Sequence, residues 1–591
     1  MMILPGAKDI QALGIDESAK EFLCSFLAIV RKYSQNRILL FAWIFCAYDI
    51  GVSTRLLGNR LCCTARNIRY ILTEVETSQR GAGKTGRPSK EQATTAEIEK
   101  DKAVTIGVTH FGGLWLLAPW ILLSNLLPYC YWLSCTGVVG TPEQFVLTLL
   151  ALAVCGLERI WALGDIGDRG FALFTGRWTP LRPYQAYTWM GRIQRGAVDL
   201  FYQATKVEEW RLVRHYPAIL SNDEHVVGHQ GGPDMPQGRV PKNGRNMKAH
   251  HLFMTFHLAA RRFVGLCVTN TKRKLCHVAA PILREMDRAR RRVNDGAADT
   301  SPIFEILDCG SYSQDAHREL LAMHFEERLH YLARIRRTPK NVQQWDRGLT
   351  WGEYDLEPYV RGSEWDLSIE RQHRLCLART TTDITGVDTP LPTLLIIDRD
   401  EIDDPDPKAK YVAVFASLVD LPAWIQADIY TWRQDHELAY RDGIHALGLD
   451  AKPKGYEKEE PGLSLDHPDQ TCHLTTHRIH FASWIKGLGY NRVRDLLDHL
   501  PEPAPSWTVL TAIRKLIRRT AVLQVKDDCF WVAFDPFPGD YILTPYCAWV
   551  NASDFAIPWL NDLKLRLTIV DKPVRTTYSS DHQMRKLLFD P

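Results

Sequence analysis

The sequence lacks several features that would assign it at once to a familiar class. Its 591 residues contain 72 Lys and Arg against 69 Asp and Glu, and a net charge of only +3 excludes a chain that is basic or acidic throughout. Its 14 cysteines form no C-x-x-C pair, which excludes the common zinc-ribbon and thioredoxin-type motifs. We find no internal repeat and no signal-peptide pattern at the N-terminus. We therefore expect a cytoplasmic, multidomain globular protein with reduced thiols.

An uninterrupted apolar stretch of membrane-spanning length is also missing. Residues 112–141 carry no charged side chain, but Pro119 and Pro128 divide the run. A spanning helix needs about 20 consecutive apolar residues, and the next apolar block, 145–157, is shorter than that. We interpret both segments as core helices and expect no membrane partner, with a membrane segment at 112–141 as the alternative.

A phosphate-binding loop is absent as well, although "GAGKT" at 81–85 suggests one. The full motif needs a glycine where Ser78 stands, and no apolar strand precedes it. The segment 78–103 is rich in Gly, Lys, Arg, Ser and Thr, and we interpret it as a flexible basic linker. Within it, Arg87 of "GRP" is a candidate contact to a DNA minor groove.

The N-terminal segment 1–77 has the pattern of a helix-turn-helix. A helix over 37–50 ends at Gly51, and Ser53 can cap the following segment, 53–61. A short turn at Cys62 and Cys63 then precedes a helix that begins near Thr64. A second helix with exposed polar and basic side chains suits a major groove, and those predicted to contact DNA are Arg66, Asn67 and Arg69. A plain αα-hairpin is the alternative.

The remaining chain predicts an α/β fold flanked by helical regions. In chain order we predict a helical domain at 104–215, a core of β-β-β-α-β-α-β order at 216–337, a β-rich insertion at 338–409, a strand and long helix at 410–450, and a C-terminal α/β region at 451–591. That core order is typical of a layered fold with a mixed sheet. Four short basic runs favour a polyanion partner, namely 271–274, 288–293, 334–337 and 514–519.

Three acidic residues are placed by this pattern where an active site could form. Asp223 is predicted to end the first strand of the core and Asp308 the fourth, which are neighbours in a ribonuclease H-like sheet. Glu437 lies on a helix predicted over 429–447, after the last strand, and could reach the same sheet edge. Three carboxylates are ligands suited to hard cations such as Mg²⁺, and two such ions could support phosphodiester chemistry.

Each acid also has an ordinary structural interpretation. A strand-end Asp often forms a turn, and Glu437 could be a helix ion-pair partner of Arg433 or Arg441. Competing acids are Glu224, Asp398 and Asp400. Four histidines have spacings that match no familiar zinc site, and we interpret them as loop or phosphate-contact residues: His225, His229, His250 and His251.

The residues around Glu437 resemble a known signature. Tyr430, Arg433 and Glu437 are in register with the Y-x2-R-x3-E-x6-K pattern of bacterial insertion-sequence DDE transposases, in the branch with a β-rich insertion before the Glu. The Lys position holds Ile444, with His445 beside it. The stretches "ILSNDEH", "FEILDCGSYS" and "GRPSK" are also similar to that group.

The resemblance implies a ribonuclease H-like core and a metal-dependent nuclease and strand transferase. It implies two Mg²⁺ ions, with Mn²⁺ as a substitute, held by Asp223, Asp308 and Glu437. Further implied DNA contacts are Tyr430, Trp432, Arg433, Arg441 and His445. Its implied partners are the terminal inverted repeats of a transposon, target DNA, and a second copy of the chain or a larger assembly at the bacterial nucleoid. The alternative is an inactive transposase remnant that regulates by binding DNA.

Overall fold

The structure is a computed structural model that describes residues 104–571 apart from several gaps. The gaps are 229–236, 241–243, 271–273, 294–301, 312, 327, 346–348, 357–372, 385–386, 389, 399–411, 418–420, 452–475 and 538. The predicted helix-turn-helix, its residues Arg66, Asn67 and Arg69, and Arg87 of the linker all lie outside the described residues.

The elements follow one another in three groups along the chain. The first group is β1 (Val104–Thr109), α1 (Ala118–Leu123), α2 (Leu126–Tyr129), α3 (Pro142–Val154), α4 (Arg169–Phe174), α5 (Pro183–Arg192) and α6 (Arg195–Val213). The second is β2 (Ile219–Gly228), β3 (Gln237–Val240), β4 (Arg245–His257), β5 (Arg262–Asn270), α7 (Leu275–Val293), β6 (Ile303–Leu307), α8 (Gln314–Phe325), β7 (Leu329–Arg334), α9 (Pro339–Trp345), β8 (Gly352–Leu356), β9 (His373–Thr382), β10 (Leu391–Asp398), β11 (Val412–Ala416), α10 (Ala423–Thr431) and α11 (Arg433–Leu447). The third is α12 (Thr476–His499), α13 (Val509–Ala512), β12 (Ala521–Lys526), β13 (Cys529–Phe534), α14 (Leu543–Ala552), β14 (Ala556–Ile557) and β15 (Leu563–Ile569).

The second group builds a mixed ten-stranded sheet. Its order is β3-β4-β2-β6-β7-β11-β10-β9-β8, with β5 paired to β4. Strands β2, β6 and β7 run parallel, and the other pairs are antiparallel. The predicted mixed α/β class is confirmed, as is the prediction that the first and fourth predicted strands, β2 and β6, are neighbours.

Two details of the predicted core differ from the structure. Asp223 was expected to end its strand, but β2 continues to Gly228 because β4 pairs with it through that point. Asp223 instead marks the place where pairing with β6 ends, since the last pair between these strands is Asn222 with Leu307. The short β3 was not expected.

The predicted β-rich insertion extends the main sheet. Strands β8, β9 and β10 form an antiparallel set, and β11 joins β10 to β7 by pairing with both. The region also opens with the helix α9, where only strands were expected. The predicted insertion therefore continues the core.

Alternating side chains of the strands feed two separate hydrophobic cores. On β2 and β6, Ile219 and Ile306 belong to one core, together with Trp432 and Ala439 around α11. Leu220 and Leu307 belong to the other, which α7 and α8 cover. This period-two alternation places α11 on one face of the sheet and α7 with α8 on the opposite face.

A second, five-stranded sheet combines both ends of the described chain. Its order is β1-β12-β13-β15-β14, and Val104 pairs with Val525 while Thr109 pairs with Ala521. Within the predicted C-terminal α/β region, β12 and β13 form a hairpin. Asp527 and Asp528 connect them with positive φ angles of 50° and 57°, the geometry that a two-residue hairpin turn requires.

The first part of the apolar run near the start of the described chain, Gly112–Leu117, is buried, while Leu123 and Tyr131 later in the run are exposed. Within the described ranges, no single helix has the length and apolar composition of a membrane span, while one pair, Gly112–Leu123 and Leu126–Leu133, meets those two criteria with a 74° bend between its parts. Trp115 and Leu116 in it are completely buried.

Candidate active site

Asp223 and Asp308 lie side by side at one edge of the parallel strands. Asn222 of β2 pairs with Leu307 of β6, so the two aspartates are the next residues at the same level of adjacent strands. Their side chains share the face of Ser221 and Ile306, since side chains alternate along a strand. The Asp223 side chain is 24% exposed and that of Asp308 is 26% exposed, so both carboxylates are accessible.

Helix α11 is fixed on this face by two of its own side chains. His436 is completely buried, places its Nδ1 atom 3.0 Å from the Ser221 hydroxyl of β2 and stacks on the Phe256 ring at 5.4 Å. The Tyr440 hydroxyl accepts a hydrogen bond from the Met254 amide at 2.8 Å and donates to the Leu252 carbonyl at 3.0 Å. The helix therefore has a defined position over β2 and β4.

In this position of α11, the side chain of Arg433 lies between Glu437 and Asp223 and contacts both. The Arg433 guanidinium is 2.5 Å from Glu437 Oε1 and 3.8 Å from Asp223 Oδ2. The pKa of Arg433 is raised by Tyr430, Asp308, Glu437 and Asp223, against the opposing effect of burial. The guanidinium thus contacts two of the three predicted acids, Glu437 and Asp223, while the charge of Asp308 also raises its pKa.

Tyr430 and Arg334 complete the cluster. Arg334, the last residue of β7, places its Nη1 atom 3.7 Å from Asp308 Oδ1. Tyr430 is largely buried at the end of α10, and burial raises its pKa to about 12, while Arg433 and Arg334 oppose that rise. A protonated phenol beside two guanidiniums offers hydrogen-bond donors suited to an anionic oxygen.

Burial also changes the acidity of Asp223. Its pKa is raised to about 6 by burial, and Asp308 and Glu437 add to the rise by charge repulsion. The Arg433 guanidinium and the Glu224 amide, which donates to Asp223 Oδ1 at 2.8 Å, act in the opposite direction. A carboxyl group whose pKa is perturbed both by burial and by neighbouring charges is typical of functional sites.

Carboxylate oxygens are the ligands that hard divalent cations prefer, so the residue types here suit such an ion. In this structure the cation that contacts Glu437 and Asp223 is the Arg433 guanidinium. Across the described part of the chain, no three His, Cys, Asp or Glu side chains are close enough together to hold a metal ion. A metal at this site would therefore require Arg433 to give up its contact with Glu437.

The other residues predicted on the helix have different surroundings. Arg441 and His445 are exposed farther along α11. Trp432 is only 4% exposed, since the predicted single helix is broken there into α10 and α11 and the ring packs into the core. Its ring is thus not on the surface, where a flipped base could stack.

The structure also shows the positions of two competing acids, Glu224 and Asp398, and of three of the histidines. Glu224 faces away from the cluster toward α7, where its Oε2 accepts from the Leu275 amide at 3.0 Å and its Oε1 lies 3.0 Å from His251 Nδ1. Asp398 ends β10, while Asp400 lies outside the described residues. His250 and His251 are buried on β4 and His225 lies on β2, so the interpretation of these three as loop residues is wrong. His229 lies outside the described residues.

Sequence reasoning missed Arg334, His436 and Tyr440. Arg334 was noted only as part of a basic run, although its place at the end of a strand next to that of Asp308 was a usable signal. His436 and Tyr440 lie one residue before and three residues after Glu437, so they occupy the inward side of the same helix. Their polar character concealed that they are buried.

Comparison with known proteins gives little further guidance. No protein-family model matches the chain, and no curated protein matches it. Among solved structures, the chain is similar to a piggyBac transposase determined by cryo-electron microscopy in a synaptic complex with hairpin DNA, at 11% sequence identity and a TM-score of 0.35. That match covers 68% of this chain and 78% of the other. A TM-score this low does not establish a shared fold.

Proposed function

We propose that this chain is a DNA transposase of the DDE class, with Asp223, Asp308 and Glu437 as its acidic triad. The observation that carries the proposal is their approach from β2, β6 and α11 to one guanidinium, that of Arg433. These residues are 214 positions apart in sequence at most, from 223 to 437, and they come from three separate elements. The resemblance to the Y-R-E signature of insertion-sequence transposases agrees with the same residues.

The proposed reaction cleaves one strand at each transposon end and joins the freed 3′-hydroxyl to target DNA. Asp223, Asp308 and Glu437 would hold Mg²⁺, with Mn²⁺ as a substitute, and the bound metal would activate the attacking oxygen and stabilise the leaving one. Holding the metal requires Asp223 to be ionised, which its pKa of about 6 allows at neutral pH. The proposed partners are double-stranded DNA and at least one further copy of the chain.

We also assign Arg433, Tyr430 and Arg334 to the binding of a DNA phosphate beside the carboxylates. Once a DNA phosphate enters the site, a guanidinium released from Glu437 can bind two phosphate oxygens in a forked arrangement. The Tyr430 hydroxyl can donate one further hydrogen bond, because its pKa of about 12 keeps it protonated at neutral pH. These side chains would orient the strand relative to the carboxylates.

A second candidate function is favoured by the Arg433–Glu437 contact itself. An acid that is held by an internal cation can be a structural ion pair, and the described residues include no preassembled three-ligand metal group. An inactive remnant that acts as a sequence-specific DNA-binding regulator would retain such a pair. This candidate requires DNA binding but no cleavage.

The deciding experiment is Mg²⁺-dependent nicking of DNA that carries the ends of the element, with EDTA as the metal-free reference. Wild type is compared with Asp223→Ala, Asp308→Ala and Glu437→Ala, and with Asp199→Ala as a control for loss of a carboxylate half-exposed on α6. We expect nicking by wild type and the control alone, with end binding by all five proteins. Binding without nicking in wild type would favour the regulator, and nicking that survives in a triad variant would remove that residue from the site.

A further inference from the structure

The four basic runs of the sequence are not equivalent in the folded protein. In the run 288–293, the completely buried Asp287 neutralises several arginines at the end of α7. It contacts Arg290 at 3.5 Å, Arg291 at 3.1 Å and Arg328, from outside the run, at 2.6 Å. This cluster has a structural role in the core under α7.

The run 514–519 is also largely used inside the protein. Arg518 donates to the Cys155 carbonyl at 2.6 Å, and Arg519 binds Asp540 at 2.6 Å. Lys515 lies 4.5 Å from the centre of the Trp507 ring. In the run 271–274, only Lys274 is described, and it is exposed just before α7.

The run 334–337 differs in both position and environment. It begins at the end of β7, where Arg334 approaches Asp308 of the candidate active site. After Arg334, the side chains of Arg336 and Arg337 in the run and of Lys340 just past it are exposed. Among the residues that the structure describes, no carboxylate pairs with any of these three.

The backbone of this segment is held in place by local hydrogen bonds. The Asn341 amide donates to the Thr338 hydroxyl at 3.1 Å, which caps α9. The Asn341 side chain donates to the Arg336 carbonyl at 2.8 Å and is itself buried. The exposed cations are therefore presented from a fixed turn beside the active-site edge.

We propose that this segment, Arg334–Lys340, binds the sugar–phosphate backbone of a DNA duplex beside the bond to be cleaved. The inference rests on the proposed function, because the duplex must approach the carboxylates along this edge of the sheet. Exposed guanidiniums without a protein partner can bind phosphates bidentately, and such contacts carry no base specificity. Arg334 forms the inner end of the segment, next to Asp308.

The test uses the salt dependence of binding, because each cation–phosphate contact releases counterions. Affinity for a short duplex of arbitrary sequence is measured by fluorescence anisotropy over a range of KCl concentrations, in EDTA. Proteins compared are wild type, Arg336→Gln/Arg337→Gln, and the control Arg288→Gln/Arg292→Gln. The control removes two exposed arginines near the end of α7. Because α7 leads into β6, this end of the helix lies near the start of β6, whereas Asp308 follows the end of β6.

We expect the slope of log affinity against log salt to become shallower by about 2 in Arg336→Gln/Arg337→Gln, or about 1 for each arginine. The control should keep the wild-type slope, and both variants should unfold at the wild-type temperature, since all four side chains are exposed. Equal slopes in wild type and Arg336→Gln/Arg337→Gln, or an equal loss in the control, would overturn the proposal.

The result is independent of cleavage, because no divalent metal is present. A shallower slope together with absent nicking in wild type would support the DNA surface while rejecting the transposase function. An unchanged slope together with metal-dependent nicking would reject this DNA surface while supporting the transposase function. A further variant, Lys340→Gln, should reduce the slope by about 1 if the segment acts as one surface.

Discussion

The Arg433 guanidinium lies 2.5 Å from Glu437 Oε1 and 3.8 Å from Asp223 Oδ2, so one side chain connects the start of α11 to strand β2. Arg433 therefore compensates charge that would otherwise repel across the cluster. Because its side chain is only 16% exposed, that compensation is little screened by solvent.

Replacement of this arginine should make stability depend on metal. In Arg433→Gln, Asp223 and Glu437 lose their counter-charge, and we expect a loss of about 1–3 kcal/mol in unfolding free energy at neutral pH without metal. Mg²⁺ should then raise the melting temperature more in the variant than in wild type, as expected for a ligand that binds the native state. Thermal unfolding followed by circular dichroism, with and without Mg²⁺, measures this. Arg328→Gln, which breaks a pair with the buried Asp287, is the control and should show no Mg²⁺ rescue.

Loss of the Tyr440 hydroxyl should affect cleavage more than DNA binding. Tyr440→Phe removes the acceptor for the buried Met254 amide, and we expect a cost of about 1–3 kcal/mol in stability. Because α11 then loses a contact to β4, Glu437 should be held less firmly and the nicking rate should fall while duplex affinity is kept. Tyr331→Phe is the matched control, since the Tyr331 hydroxyl is buried in the other core with no hydrogen-bond partner among the described residues. Equal nicking rates for both variants would contradict this role of Tyr440.

Glu305 should make the protein less stable as pH rises. It is completely buried beside Asn222, which donates to it at 3.1 Å, and burial raises its pKa from 4.5 to about 8. The folded state therefore binds a proton more tightly than the unfolded state, and this stability is full below pH 4.5 and is lost as pH rises to about 8. In Glu305→Gln, which mimics the protonated form, that part of the pH dependence should vanish, a change on the order of 5 kcal/mol between the two limits. Urea unfolding at several pH values tests this, and identical profiles for variant and wild type would contradict it.

Glu224 should prove to be a structural neighbour of the site. Glu224→Ala removes the acceptor for the first amide of α7 and the partner of His251, so we expect a loss of about 1–2 kcal/mol in stability. Metal-dependent nicking should remain in this variant at temperatures where it is folded. Asp223→Ala is the comparison, because it differs by one position and should lose nicking instead. Abolition of nicking in both variants would place Glu224 in the site as well.

The placement of the candidate site was largely predictable from local patterns. Asp308 follows a short apolar strand, and a ribonuclease H-like strand order predicts that the strand carrying Asp223 is its neighbour, as it is in the structure. The exact end of β2 was not predictable, because the pairing that extends it past Asp223 comes from β4. The local amino-acid composition of a strand predicts its pairing partner only weakly.

Other features depended on tertiary contacts that no local pattern records. The break between α10 and α11 at Trp432 was missed because the stretch has continuous helical periodicity. The buried state of His436 and Tyr440 was likewise hidden, since each is polar and its partners lie on β2 and β4. The contacts of Arg433 followed from its spacing to Glu437 only in part, since its other partner, Asp223, is contributed by a distant strand.

The pairing of β1 with β12 has a consequence for the order in which the chain can fold. Val104 of β1 pairs with Val525 of β12, so more than 400 further residues must be synthesised before the first described strand can pair. Until then the apolar stretch around Trp115 and Leu116, which follows β1, has no complete core to enter. Such long-delayed pairing exposes apolar surface during synthesis and invites association between chains. The newly made polypeptide should therefore depend on chaperones until its C-terminal third emerges.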